Sequence, residues 1–275
     1  MSGEGTAPAE KESNPMNILV FDTETTSLNK PFCYNLGYVI YDTDRDMIVL
    51  KRDFVVEQVW HNRPLFESAY YADKRPQYVQ GMRAHKIIMD KYGYIQRQMA
   101  RDIRENNVEG AYAFNSPFDD RVFEFNAEYY HCNNALDNVP VFDIRGYAVN
   151  YLMNDEYREF CDNNAEVKNG RDRKFVTEND GYKTTAESFY CFLHGDTEFN
   201  EAHTALADSE IELAVLKACI EKGAMWGDNL PTAKSYPRGT VKPFKVKYKG
   251  QIVLEGGCSK VTTRKIKNGV SITIE

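Results

Sequence analysis

The sequence predicts an α/β domain built on a mixed sheet, and three features of its pattern carry that expectation. Asn17 to Phe21 is a short continuous apolar run, as in a central strand covered on both faces. Two further runs, Asn35 to Tyr41 and Met47 to Val56, flank the turn-forming stretch Asp42-Thr43-Asp44-Arg45-Asp46 and read as an antiparallel hairpin that continues the sheet. Beyond them strands alternate with helices, the pattern of a sheet covered by helices.

Each element follows in order. Residues 1–15 (MSGEGTAPAEKESNP) are small and charged, cannot bury apolar surface and are expected to be a disordered tail. From Arg63 to Glu105 the pattern is helical, interrupted at Pro76 and Gly93, with Ile95, Met99 and Ile103 on one buried face. Glu109 to Phe114 reads as a fourth strand, and Pro117 opens a helix carrying Phe118, Val122, Phe125 and Tyr129 at core spacing. Val139 to Phe142 reads as a fifth strand, and Asp143 is placed to cap the helix after it. The polar stretch Asp162 to Asp180 is expected as an exposed loop, followed by helices over Thr185 to Leu193 and Thr204 to Lys222. Residues 16–222 therefore form the main domain, 223–238 a linker marked by Gly and Pro, and 239–275 a β-rich tail. In that tail Phe244, Val246 and Tyr248 alternate with Lys245, Lys247 and Lys249, and a second alternating stretch surrounds an Asn268-Gly269 turn, giving a small basic β-ribbon.

Composition fits one sizeable core: 275 residues, 42% hydrophobic and 13% aromatic. No run approaches the roughly 20 apolar residues of a membrane helix, and the first fifteen residues lack the basic-then-apolar pattern of a signal peptide. A cytoplasmic protein is expected. The six cysteines form no Cys-x-x-Cys pair, so neither a zinc knuckle nor a disulfide framework is indicated. Net charge is −7, which argues against a polyanionic partner until it is divided along the chain. Thr232 to Glu275 holds ten basic residues against two acids, a net of +8 that leaves −15 for the rest.

The chemistry lies in three short segments. In Phe21-Asp22-Thr23-Glu24-Thr25-Thr26 two carboxylates leave a strand with one residue between them, can point to one side and repel unless a cation sits between them. Alone, the pair is equally well read as a surface acidic turn. In Phe114-Asn115-Ser116-Pro117-Phe118-Asp119 an acid falls within a first helical turn, where capping alone would account for it. In Glu201-Ala202-His203-Thr204-Ala205-Leu206-Ala207-Asp208 a histidine precedes a helix and Asp208 falls on its apolar side, where an unpaired carboxylate is costly.

Taken together and in this order, the segments resemble the DEDDh branch of the DnaQ-like 3′→5′ exonuclease family over roughly Asn17 to Lys222, with all five signature positions filled. The resemblance implies a ribonuclease H-like fold, a five-stranded mixed sheet flanked by helices. It also implies two Mg²⁺ or Mn²⁺ ions held by Asp22, Glu24, Asp119 and Asp208, with His203 as general base, and release of nucleoside 5′-monophosphates. Thr25 and Leu28 would border the terminal nucleotide and Asn115 would orient the strand. Ser27 stands where many members have glycine, and Arg63 to Gly93 is longer and more aromatic than usual. Tyr70, Tyr71 and Tyr78 in that stretch stack on bases or pack in the core.

The expected partner is nucleic acid with a free 3′ end, DNA in preference to RNA and single-stranded or frayed, met by a free-standing enzyme or a proofreading subunit. A ribonuclease of the same family and a non-catalytic nucleic-acid-binding module are the alternatives, and no membrane partner is expected. Lys245, Lys247 and Lys249 offer a phosphate track, a docking face for a polymerase or other protein, or a solubilising edge.

Overall fold

In the computed structural model, which describes residues 16–170 and 172–238 and the backbone of four C-terminal strands, a six-stranded mixed sheet runs through the domain. Strand β1 (Asn17–Thr25) pairs antiparallel with β2 (Cys33–Asp42), which pairs antiparallel with β3 (Met47–Val56). This is the meander expected from the apolar runs and the acidic turn between them. Short helices α1 (Glu57–His61) and α2 (Arg63–Glu67), a 3₁₀ turn (Ala72–Lys74) and α3 (Arg75–Arg83) follow. Then come β4 (Ile88–Asp90), α4 (Tyr92–Glu105), β5 (Val108–Ala113) and α5 (Ser116–Tyr130). Next are β6 (Val141–Asp143), α6 (Ile144–Tyr151), α7 (Asp155–Asn163), the two-residue pair β7 (Lys168–Asn169) and β8 (Asp172–Arg173), α8 (Ala186–His194) and α9 (Ala205–Glu221).

The sheet order is β4-β3-β2-β1-β5-β6, with β5 parallel to β1, β6 parallel to β5 and β4 parallel to β3. Six strands stand where five were expected. The extra one, β4, is three residues long with Ile88 and Met89 exposed, too short to show a period of two against the helices around it.

Alternation along β1 divides the core in two. Leu19 and Phe21 face α4 and α5, where Phe21 meets Phe123 edge-on at 5.4 Å. Ile18 and Val20 face the other way, onto a second cluster with Leu213, Val215 and Leu216 of α9 and Ile144 and Tyr147 of α6. Helix α9 lies on β1 and β2 and against α6 and α8, so it buries residues around much of its circumference where a single apolar stripe was expected. No helix among the described residues is long and apolar enough to cross a membrane.

Asp143 caps its helix as expected, and the structure adds a second cap that the sequence reading did not name. Asp143 accepts from Arg145 N at 3.0 Å, and Thr185 with Ser188 forms a capping box on α8. The stretch 162–180 departs from the exposed loop expected of it, because Lys174, Phe175 and Val176 are buried. A lysine there reads as polar surface, yet its ammonium is satisfied inside by carbonyls of Thr197 and Phe199 and by Glu187.

Residues 223–238, read as a linker, run along the domain: Tyr182 N donates to Tyr236 O at 2.7 Å, and Arg238 bonds Asp162 and Asp180 at 2.7 and 2.9 Å. Farther on, β9 (Lys242–Tyr248) pairs antiparallel with β10 (Gln251–Cys258), and β11 (Val261–Ile266) with β12 (Gly269–Ile274). The expected N-terminal tail, and any nucleic-acid contact by Lys245, Lys247 and Lys249, lie outside the described residues and side chains.

Candidate metal centre

The period of two that fills the core also builds the site. Asp22 and Glu24 continue the face of Ile18 and Val20, toward α9, while Thr23 continues the opposite face, toward α5. At the start of α9, Asp208 lies in the first turn and Glu212 one turn farther along the same side. Asp22, Glu24, Asp208 and His203 line one cavity of about 450 Å³. One donor atom from each of Glu24, His203 and Asp208 lies within 4.8 Å of the others.

Asp119 sits behind this wall. It is 2% exposed and accepts from the Thr23 hydroxyl at 2.6 Å, so the strand residue between the two site acids holds the acid of α5. Asn115 lines the cavity in the left-handed region (φ 64°), a conformation asparagine tolerates, with its N–H on Asp143 Oδ1 at 2.8 Å. Thr25 and Leu28 do not line the cavity: the Thr25 hydroxyl points to Ser27 O at 3.4 Å and Leu28 is 74% exposed.

Two residues of β2 place α9. Asn35 is fully buried, and its Oδ1 accepts from Ala205 N at 2.8 Å while its Nδ2 donates to Asp53 Oδ1 at 2.7 Å and Phe54 O at 2.9 Å. Gly37 lets the helix start rest directly on the strand, since a Cβ there would stand 2.0 Å from Leu206 N. Tyr78, a core residue rather than a base-stacking one, reaches Asn35 Oδ1 at 3.1 Å and His203 O at 3.4 Å. His203 itself has φ 52°.

Sequence reasoning missed several residues of the wall. Glu201 and Glu212 line the cavity, with Glu201 Oε2 3.9 Å from His203 Nδ1. Four-residue spacing from Asp208 along the helix was the signal available for Glu212. Tyr71 stacks on His203 with centroids 4.0 Å apart and planes at 12°, while Tyr70 is 83% exposed. Arg145 is the one cationic side chain lining this cavity among the described residues, fixed by Thr184 Oγ1 at 3.0 Å and Ala233 O at 3.2 Å.

Burial governs the electrostatics. It pushes Asp22 up to about 7, and burial together with Asp22 pushes Glu24 up to about 8. Asp208 rises to about 10 through burial and then the charges of Asp22, Glu201 and Glu24. Burial also raises Asp119, with Asp22 as its first charged neighbour, and lowers His203, which keeps the imidazole neutral near pH 7.

The residues fit a hard divalent cation. Asp208 Oδ1 is buried with no hydrogen-bond partner among the described residues, and an acceptor in that state calls for a proton, a water or a metal ion. Around it lie a carboxylate of Glu24 and the imidazole of His203, close enough together with Asp208 to share one metal ion.

Comparison of the sequence with family models and with curated proteins returned no match.

Proposed function

We propose that this chain is a metal-dependent 3′→5′ exonuclease of the DEDDh type that releases nucleoside 5′-monophosphates, from DNA in preference to RNA. One observation carries the reading: Asp22, Glu24, His203 and Asp208, from stretches of chain up to 186 positions apart, line a single cavity that bears an unpartnered buried carboxylate oxygen. A mixed sheet whose order puts β1 beside β2 and β5, with helices on both faces, is compatible with a ribonuclease H-like fold.

Asp22, Glu24 and Asp208 would hold the cations, with Asp119 behind them through Thr23. When bound, two such ions supply charge that activates water and stabilises a departing 3′ oxygen. The chain's own residues do the rest. Neutral His203 takes the proton of the attacking water, Tyr71 holds its ring by stacking, and Arg145 presents a fixed guanidinium to substrate phosphate. A cavity of about 450 Å³ suits a terminal nucleotide rather than a duplex.

A time course on 5′-labelled single strands of matched DNA and RNA, with Mg²⁺ or EDTA, tests this. The expected result is a metal-dependent ladder that shortens one nucleotide at a time, faster on DNA. Asp22→Ala should abolish it, and His203→Ala should slow it about 10²–10⁴-fold, the usual contribution of a general base. No ladder, or full activity in both variants, rejects the assignment, and a faster RNA ladder moves the substrate to RNA.

A further inference from the structure

We infer that Lys174 and Glu187, a buried ion pair, are positioning residues for His203, holding from outside the loop that presents it to the cavity. The inference rests on the reading of His203 as general base and adds two residues that the resemblance does not name.

Residues 195–204, between α8 and α9, form neither helix nor strand. From Thr197 to His203 the main chain makes no hydrogen bond to other main chain among the described residues, so side chains fix its course. Asp196 turns the first part, accepting from Glu198 N at 2.9 Å and Phe199 N at 3.1 Å. Further anchors reach in from other elements. Lys174, directly after β8, donates to Thr197 O at 3.2 Å and to Phe199 O, and its ammonium lies 3.5 Å from Glu187. Glu187, in the first turn of α8, accepts from Glu201 N at 3.3 Å and from Asn169 Nδ2 at 3.1 Å. Beyond Glu201 the next anchor is Tyr78, whose hydroxyl meets His203 O at 3.4 Å.

Lys174 is 3% and Glu187 8% exposed. Filling that space does not call for charge, since an apolar pair of similar volume is often as stable. What an apolar pair lacks is donors for two carbonyls and an acceptor for the Glu201 amide. Those bonds fix residues 197, 199 and 201, and His203 is the next in that alternation. A second cavity, of about 670 Å³, is lined by Asn169, Lys174 and Glu187 and shares Glu201 and His203 with the first, so the pair reaches the wall that presents the imidazole. Chemistry sets a narrow tolerance here. A general base must stand within hydrogen-bond reach of the proton it takes, and a misplacement of about 1 Å is enough to cost about 10²-fold.

Replacing one member alone strands the other as a buried charge, so the test replaces both in the full chain. Lys174→Met with Glu187→Leu should keep a melting midpoint near that of wild type. Its Mn²⁺ affinity should also hold, because α9, which carries Asp208, is placed by Asn35 and Gly37. On a 5′-labelled single strand its kcat should fall about 10–10²-fold with KM unchanged, and the Glu201 amide should exchange with solvent at least about 10-fold faster. Lys174→Met with Glu187→Gln returns an acceptor to Glu201 N and should recover about 3-fold or more of the lost turnover, as one hydrogen bond is worth. If the leucine pair does not fold, the glutamine pair against wild type decides, with an expected loss in kcat of about 3–10-fold. A folded double variant with wild-type kcat, or one whose KM and Mn²⁺ affinity worsen together with kcat, overturns the positioning role and leaves the exonuclease reading intact. Absence of any ladder with the wild type overturns both.

Discussion

Gly37→Ala tests how the site is positioned without touching any residue that would hold a metal. A Cβ at this position would stand 2.0 Å from Leu206 N and 2.3 Å from Ala205 C, both backbone atoms that no rotamer change can move aside. Opening the closer contact to an ordinary 3.4 Å requires about 1.4 Å of movement of the α9 start relative to β2. That movement strains two hydrogen bonds, Ala205 N to Asn35 Oδ1 at 2.8 Å and Ser209 Oγ to Gly37 O at 3.1 Å. Overpacking costs about 1–3 kcal/mol and each weakened bond about 1 kcal/mol, so the expected loss is about 3–5 kcal/mol. For a domain of this size that lowers the thermal midpoint by about 6–20 °C. The protein still folds, but His203 and Asp208 travel with the helix, and a displacement of this size costs about 10²-fold in turnover. Gly195→Ala is the control: φ is +64° with nothing within 4 Å, so it should cost only about 1–2 kcal/mol of backbone strain and leave metal affinity unchanged. Calorimetric midpoints and Mn²⁺ affinities of the two variants decide the matter. A Gly37→Ala protein that melts within 2 °C of wild type and binds Mn²⁺ normally would refute the claim that β2 sets the position of α9.

Three further outcomes are expected. In the metal-free protein Asp22, Glu24 and Asp208 titrate near 7, 8 and 10, above an unfolded range of about 3.9–4.3. Folded values raised in this way give stability that is full below about pH 4 and lost as pH rises through the folded values, so the metal-free melting midpoint should fall between about pH 5 and 9. Saturating Mg²⁺ should restore it by an amount that grows with pH, and a midpoint independent of both would contradict the site. Tyr71→Ala removes the 4.0 Å stack on His203 and should lower turnover about 2–10-fold, with Tyr71→Phe close to wild type, and equal activity of all three in single-turnover assays would discount the stack. Asp102, 2% exposed, accepts from Tyr38, Arg52 and Gln98 at 2.8–2.9 Å, and these donors outweigh its burial and hold it below the usual carboxylate range. Its contribution is present above about pH 4 and lost as pH falls through the lower folded value, so Asp102→Asn should cost about 2–4 kcal/mol at pH 7 and less in acid, without affecting turnover.

What the sequence revealed follows the range of the interaction behind each feature. The meander, the Asp143 cap and the alternation that points Asp22 and Glu24 to one side are set by neighbours a few residues away. Strand β4 owes its existence to the parallel partner Phe54 to Val56, more than thirty positions earlier, and has too few residues to announce itself. Buried Lys174 needs carbonyl groups contributed by residues 197 and 199, so its own surroundings in sequence read as solvent-facing. Glu201 and Glu212 were overlooked because an acid beside a histidine and an acid on a helix are common surface features until the cavity unites them.

Strand β2 shows how one face of a strand can fix a site made of distant residues. Asn35, Gly37, Val39 and Tyr41 fall on the same side of the pleat and meet α9 in that order along its length. Val39 and Tyr41 supply apolar contact to a cluster that holds Leu213, Val215 and Leu216, which attaches the helix but leaves its axial position free to slide. Gly37 permits close approach, and Asn35 ends the series with a directional bond to Ala205 N. Directionality matters here because burial alone is indifferent to a shift of an ångström, whereas cation ligands are not. Asn35 is also the register partner of Glu24 on β1, so one buried amide refers both the strand acid and the helix that carries Asp208 to the same point of the sheet. The loop holding His203 is tied to that point through Tyr78, whose hydroxyl lies between Asn35 Oδ1 and His203 O. Precision in the cavity thus originates under the helix, in the sheet, and the residues that secure it are ones with no chemistry of their own to advertise.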